Sequence, residues 1–214
     1  MNALAVIAER WSVPTSAARY PIEIPDTDRE SLADLFGVLG YGVGAEIGVE
    51  QGVYSEVLLR SAPDLILFCI DAWKAYDGYR DHRTQSKLDG FMAATQERLE
   101  PYQSRYRLYR DFSVDAARQF ENGSLDFVYI DANHSLQHVI QDLEAWVPKV
   151  RSGGIVAGHD FSQRVRNGYQ CHVVEAVRAW TSAYHVVPWF VLGRKEVREG
   201  ERRDRPRSFF WVVP

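Results

Sequence analysis

The stretch GAEIGVEQGVYSE, residues 44–56, joins a short apolar run to a glycine-spaced loop and then to a helical pattern. Its loop reads Glu46-x-Gly48-x-x-x-Gly52, where x is any other residue. A P-loop would need Gly-Lys-Ser/Thr, and a dinucleotide-binding Gly-x-Gly-x-x-Gly motif would place a glycine where Glu50 stands. A strand that leads through a glycine loop into a helix predicts an open α/β sheet, in which ligands bind at the carboxyl ends of the strands.

Apolar runs typical of buried strands alternate with helical patterns along the rest of the chain. The runs lie at residues 44–49, 64–71, 105–111, 125–131, 153–160, 184–192 and 208–213. The helical patterns lie between them, at residues 54–62, 87–99, 114–120, 136–150 and 172–184. Strands that alternate with helices predict a parallel sheet with helices on both faces. No helical pattern separates the last two runs, so we expect a hairpin that makes the final strand antiparallel.

A further helical pattern precedes the opening stretch. Asp28 is a candidate N-cap, apolar residues follow at helical spacing, and Gly40 is a candidate stop. We therefore expect residues 1–39 to form an N-terminal helical extension that packs on a core domain of residues 40–214. The extension is also a candidate surface for a homodimer.

The composition excludes several classes of partner. A net charge of −4 gives no support to a nucleic-acid interface, which needs a basic face, and no apolar run approaches the roughly 20 residues needed to span a bilayer. Of the two cysteines, Cys69 lies inside an apolar run, so a disulfide framework is not indicated. We expect a cytoplasmic protein that binds neither nucleic acid nor membrane.

The glycine loop favours a cofactor that carries a cation rather than a phosphate, because Glu50 would repel a pyrophosphate. S-adenosylmethionine (SAM) is such a molecule, since it combines adenine and ribose with an ammonium and a sulfonium. Asp71 supports this prediction because it ends the next apolar run, where a carboxylate can accept both ribose hydroxyls. With no ligand, the glycines would only form a tight turn and Asp71 would cap a helix.

On these residues the sequence resembles the class I SAM-dependent methyltransferases, in particular the small-molecule O-methyltransferases. Within these it resembles the macrocin-type sugar O-methyltransferases and, more distantly, catechol O-methyltransferase. The segments that carry the resemblance are EIGVEQGVYS (46–55), FCIDAW (68–73), LDFVYIDANHS (125–135), DLEAWVPKVRSGGIVAGHDF (142–161) and FFWVVP (209–214). The resemblance implies methyl transfer to a hydroxyl of a small-molecule acceptor. It also implies a Rossmann-like sheet of seven strands, mostly parallel, with an antiparallel last strand.

The resemblance further implies roles for single residues. Glu46, Gly48 and Gly52 would surround the methionine part of SAM, Asp71 would bind the ribose, and residues 111–113 would contact adenine. The complete predicted cofactor-binding set is Glu46, Gly48, Glu50, Gly52, Ser55, Asp71, Ala72, Trp73, Asp111, Phe112, Ser113 and Asp131.

Polar groups also end two of the later apolar runs. Asp131 and His134 follow one run, and His159 and Asp160 follow the next. Two carboxylates and an imidazole suit a hard or borderline divalent cation. By resemblance Asp131 and Asp160 would bind Mg²⁺, and His159 is the candidate third ligand. The sequence departs here from the catechol-type enzymes, which have Asp-Asn where this sequence has His159 and Asp160. Without a metal, Asp131 would serve the cofactor or cap a helix.

His134 is the predicted general base, and His159 is the rival candidate. A hydroxyl is a poor nucleophile until it is deprotonated, and an unperturbed imidazole titrates near ~6.5. His134 follows Asp131 by three residues, which places both in the same predicted crevice, so Asp131 joins the predicted catalytic group. In the macrocin-like branch the histidine of this Asp-x-x-His motif is the proposed base. A helix cap is the alternative role for His134.

Two other functions stay open at this point. One is a nicotinamide-dependent oxidoreductase on a Rossmann sheet, which Glu50 and the antiparallel last strand disfavour. The other is a non-catalytic cofactor-binding module, which the retained Asp131, His134 and Asp160 disfavour.

Overall fold

The computed structural model describes residues 2–76, 84–166, 169–202 and 204–214. The strands are β1 (Ile22–Ile24), β2 (Val43–Ile47), β3 (Ile66–Asp71), β4 (Tyr106–Arg110), β5 (Leu125–Ile130), β6 (Val150–Gly158), β7 (Val165–Arg166), β8 (Tyr169–Gln170), β9 (Trp189–Leu192) and β10 (Phe209–Val212). The helices are α1 (Ala3–Trp11), α2 (Arg29–Val38), α3 (Val53–Ser61), α4 (Gln85–Leu99), α5 (Ser113–Ala117), α6 (Leu136–Trp146) and α7 (Val173–Ala183). All seven runs predicted as strands are strands, so the α/β class is confirmed.

The main sheet has the strand order β1-β9-β10-β6-β5-β2-β3-β4. Only β10 is antiparallel to its neighbours, which are β6 and β9, so the predicted hairpin is confirmed. The predicted number of seven strands is wrong. An eighth, β1, pairs in parallel with β9 and matches Ile22 with Phe190. Three residues beside prolines carry too little periodicity to be recognised as a strand in the sequence.

The N-terminal segment is therefore not purely helical. It contains α1 and α2, as expected, but it also supplies β1 to the sheet. Asp28 is the N-cap of α2, and it forms a capping box with Ser31, whose backbone N–H lies 2.9 Å from the Asp28 carboxylate. Gly40 has a positive φ of 66°, consistent with its predicted role as a stop after α2. A unit boundary near residue 39 stays a prediction.

Helices cover both faces of the main sheet. Alternating residues of β5 show this: Phe127 and Tyr129 pack with residues of α1 to α4, whereas Val128 and Ile130 pack with residues of α5 to α7. Strands buried on both faces need the continuous apolar runs seen in the sequence. No helix in the described part of the chain is long and apolar enough to cross a membrane.

The strand order reverses direction between β2 and β5. The chain runs from β2 outward to β3 and β4, and then returns to place β5 on the other side of β2. The loops that follow β2 and β5 therefore leave the sheet toward opposite faces. This divergence opens a crevice at the carboxyl ends of the strands.

Candidate active site

A cavity of about 730 Å³ occupies this crevice. Its walls come from the segments that follow β2 to β6, together with the start of α2 and part of α6. The predicted site residues on its walls are Glu46, Gly48, Glu50, Asp71, Ala72, Trp73, Asp111, Phe112, Ser113, Asp131, His134, His159 and Asp160. The volume suits a ligand the size of a nucleoside cofactor and its co-substrate.

The glycine loop after β2 passes very close to the end of β5. Gly48 has a φ of 90°, and its N–H donates a 2.8 Å hydrogen bond to the carbonyl oxygen of Ile70. A Cβ atom on Gly48 would lie 2.2 Å from the backbone oxygen of Asp131. Only glycine fits here, because a side chain would meet both a strained backbone and fixed backbone atoms.

Asp71 holds this loop in place. One carboxylate oxygen accepts hydrogen bonds from the N–H groups of Val49 at 3.0 Å and Glu50 at 2.9 Å, and the other accepts one from Trp73 at 2.8 Å. Burial nevertheless raises the pKa of Asp71. The indole N–H of Trp73 donates a 2.8 Å hydrogen bond to the backbone oxygen of Glu50, so both side chains pin the same loop. The sequence did not reveal this bracing role, and ribose binding by Asp71 stays a prediction.

Glu46 is buried beneath the loop. One of its carboxylate oxygens accepts a hydrogen bond from the Ser55 hydroxyl, and burial raises the pKa of Glu46 to about 8. Ser55 is itself fully buried, and Gly52 begins α3 with a φ of 71° against Thr95. Although both belong to the predicted cofactor-binding set, Ser55 and Gly52 do not line the cavity. Their positions are those of residues that shape the loop from behind.

The wall after β4 contains a buried carboxyl that the sequence analysis did not identify. The Ser113 hydroxyl donates a hydrogen bond of 2.5 Å to Asp142 of α6 and accepts one of 2.9 Å from the indole N–H of Trp146. Burial raises the pKa of Asp142 to about 7. The sequence does not reveal the burial of Asp142, because a polar residue one turn before Trp146 in an amphipathic helix is ordinarily exposed.

The four polar residues after β5 and β6 form one acid–histidine cluster, which we define as Asp131, His134, His159 and Asp160. The Nδ1 atom of His159 lies 3.4 Å from Asp131 and 3.3 Å from Asp160. The Nε2 atom of His134 lies 3.5 Å from Asp131 and 3.1 Å from Asp160. The sequence prediction that these groups meet in one crevice is confirmed.

Charge within the cluster shifts its pKa values strongly. Burial alone would raise the pKa of Asp131, but the close approach and positive charge of both histidines lower it to about 2. Burial alone would lower the pKa of His159, but the two carboxylates raise it to about 10. The pKa of His134 is also raised, because its contacts with Asp131 and Asp160 outweigh burial.

The cluster also provides metal-ligand atoms at suitable separations. One ligand atom each from Asp131, His159 and Asp160, the predicted metal-binding set, lie within 4.8 Å of one another. A second group, His134, Asp160 and Cys171, meets the same limit. Among the described residues, the buried Nε2 atom of His134 has no well-oriented hydrogen-bond acceptor, although Asp160 lies 3.1 Å away. Arg164 also contacts Asp160, so a cation already neutralises part of the acidic charge.

The sequence of this chain matches a known protein family. Residues 45–161, more than half of the chain, match the sequence family described as "Methyltransferase domain". No curated protein is similar enough in sequence to match.

Solved structures share the fold at low sequence identity. One is the O-methyltransferase from Bacillus cereus in complex with SAH, with 15% identity, a TM-score of 0.62, and coverage of 99% of this chain and 89% of that one. Another is the O-methyltransferase TomG from Streptomyces achromogenes, involved in tomaymycin synthesis and solved with SAM. It has 16% identity, a TM-score of 0.60, and coverage of 100% of this chain and 91% of that one.

Proposed function

We propose, since the chain belongs to the family of methyltransferase domains, that it transfers the methyl group of SAM to a hydroxyl of a small-molecule acceptor. The observation that carries the proposal is one cavity in which the glycine loop faces the acid–histidine cluster. The two O-methyltransferases of the same fold, one with SAH and one with SAM, support the choice of cofactor and acceptor group.

The loop half of the cavity suits the cofactor. Glu46, Gly48, Glu50 and Asp71 line the part beside β2 and β3, and residues 111–113 line the adjoining wall. SAM in this half would have its amino-acid end near the glycine loop and its adenine near the wall after β4. The sulfonium would then lie toward the cluster, where in-line displacement needs only an aligned and deprotonated acceptor.

His134 is the better candidate for the general base. The His134 side chain keeps 28% of its surface exposed, against 11% for His159, so it is the more accessible to an acceptor. The pKa of His134 is raised, whereas the pKa of His159 is raised to about 10, which keeps the His159 ring cationic near neutral pH. A base must accept a proton near working pH, and a ring that is already protonated at that pH does so poorly.

The cluster fits a divalent metal by the chemistry of its donors. Asp131, His159 and Asp160 would hold the ion once His159 has released its proton, and Mg²⁺ is the proposed ion. A bound dication supplies a Lewis acid that lowers the pKa of a hydroxyl and orients it. Within the protein, Asp131 stays ionised and holds His134 and His159 beside it, so the donors are already gathered.

The proposal is tested first by cofactor choice. We expect calorimetry to show binding of SAM and of its product S-adenosylhomocysteine, and no binding of NAD. Incubation with a panel of phenols, sugars and other hydroxylated molecules should then release S-adenosylhomocysteine with at least one of them. A protein that binds NAD but not SAM would refute the function. A cytoplasmic location and a homodimer stay predictions.

A further inference from the structure

Arg29 places a fixed cation at the cavity wall. It is the first residue of α2, and its side chain lines the cavity beside the glycine loop. The guanidinium carbon lies 5.1 Å from the centre of the Tyr54 ring, and the Tyr54 hydroxyl donates a 2.8 Å hydrogen bond to the backbone oxygen of Arg29. Because Tyr54 is buried, this cation–π contact holds the guanidinium in one place.

The guanidinium has no hydrogen-bond acceptor or carboxylate partner within the described ranges of the chain. Asp131 acts electrostatically on Arg29 but is engaged with two histidines, and Glu46, whose pKa burial raises to about 8, is largely protonated near neutral pH. Arg164, the other arginine of the cavity, contacts Asp160. Burial alone would lower the pKa of Arg29, but the acidic groups around it raise the pKa, so the guanidinium stays charged. Its N–H groups can therefore donate charge-assisted hydrogen bonds to an anionic ligand group in the cavity.

The surroundings of Arg29 show which anion fits. Glu46 and Asp131 line the same cavity and interact electrostatically with Arg29, so acidic side chains lie near this cation. A simple anionic group would be repelled by the ionised Asp131. An α-amino acid group carries a carboxylate and an ammonium on one carbon. The carboxylate can pair with the guanidinium, and the ammonium can pair with an acidic side chain.

We propose that Arg29 binds the α-carboxylate of the methionine part of the cofactor, with the acidic side chains facing its ammonium. This inference rests on the proposed function, because SAM is the molecule that brings an amino-acid group to this end of the cavity. The planar guanidinium can grip a carboxylate with two parallel hydrogen bonds. Arg29 is thus a cofactor-positioning residue supplied by the N-terminal segment, outside the residues that match the family.

The test compares two ligands on matched variants. S-adenosylhomocysteine carries the amino-acid group, whereas 5′-methylthioadenosine keeps the adenosine and lacks that group. By calorimetry, Arg29→Gln should weaken S-adenosylhomocysteine binding by about tenfold or more and leave 5′-methylthioadenosine binding within about twofold. Arg29→Lys should lose less, because it keeps the charge. Arg60→Gln, at the exposed far end of α3, is the control for the same chemical change and should bind both ligands as the wild type does.

Three results would overturn the inference. Equal weakening of both ligands would show that Arg29 only supports the fold of the cavity. Unchanged S-adenosylhomocysteine binding with a raised KM for the acceptor would assign the cation to an anionic acceptor instead. Unchanged binding and unchanged KM would remove any ligand role. By contrast, a wild-type protein that binds neither ligand would refute the proposed function itself, so the two failures are distinguishable.

Discussion

Asp71 and Asp131 both end apolar runs in the sequence, yet they lie in opposite surroundings in the two halves of the cavity. Asp71 accepts hydrogen bonds from three backbone N–H groups, and burial raises its pKa. Asp131 faces two imidazoles, whose contacts lower its pKa to about 2. The loop half is thus held by backbone hydrogen bonds, and the cluster half by side-chain charge. We infer that the loop half binds the cofactor and that the cluster half carries the reaction.

Metal removal should have the largest effect, and it should affect turnover at the cluster half without affecting cofactor binding at the loop half. Treatment with EDTA should reduce turnover by at least about a hundredfold, because a metal at Asp131, His159 and Asp160 would polarise the acceptor hydroxyl. Added Mg²⁺ or Mn²⁺ should restore the rate. Binding of S-adenosylhomocysteine, measured by calorimetry, should change little, since the loop half needs no metal. Full turnover in EDTA would instead mean that these carboxylates serve the cofactor or the fold.

Replacement of His134 should have the next largest effect. His134→Ala should lower kcat by about 10²–10⁴-fold at saturating cofactor, because the acceptor proton would have no base. Cofactor affinity should stay the same, which the calorimetric titration checks. The exposed His185 provides the control, and His185→Asn tolerates the positive φ of 52° at that site. A His134→Ala enzyme with more than about a tenth of the rate and an unshifted pH profile would exclude this role.

The fold was predictable because buried strands need continuous apolar sequence and helices need periodic sequence. The acid–histidine cluster was predictable for a similar reason, since carboxyl ends of neighbouring strands meet at one edge of a sheet. The bracing role of Asp71 was not predictable, because strand-end position does not show which partners a carboxylate finds. The proposed role of Arg29 was not predictable either, because it depends on how α2 packs against α3. A contact between elements distant in sequence leaves no local pattern.

Replacement of Asp71 should have a smaller effect on rate and a clear effect on binding. Asp71→Ala should weaken SAM binding by at least about tenfold, because it removes the predicted ribose acceptor and frees the loop. Asp71→Asn sharpens the comparison, since it keeps the size but turns one acceptor oxygen into a donor that faces backbone N–H groups.

Thermal unfolding without ligand separates the two roles of Asp71. A loss of melting temperature in Asp71→Asn would reflect the loop bonds to Val49, Glu50 and Trp73. Weaker SAM binding with an unchanged melting temperature would reflect the ribose alone. If both quantities matched the wild type, neither role would stand.

The smallest expected effect is on stability. It tests whether burial dominates the pKa of Asp142, in the wall after β4, as it does for Asp71, or whether charged partners dominate, as they do for Asp131. The pKa of Asp142 is raised by burial from an ordinary value near 3.8 to about 7, so between these values the folded state holds a proton that the unfolded state has released. The free energy of unfolding should therefore fall as pH rises from about 4 to about 7.

Asp142→Asn keeps an oxygen for the Ser113 hydroxyl and removes the titration, so its advantage in stability over the wild type should grow across that window and level off above it. The gain should be on the order of a few kcal/mol at pH 8 and small at pH 4, seen as a higher melting temperature. The exposed Asp64 provides the control, and Asp64→Asn should follow the wild type at both values. An Asp142→Asn protein less stable than the wild type at pH 8 would mean that the carboxylate is held by partners, as Asp131 is, rather than strained by burial.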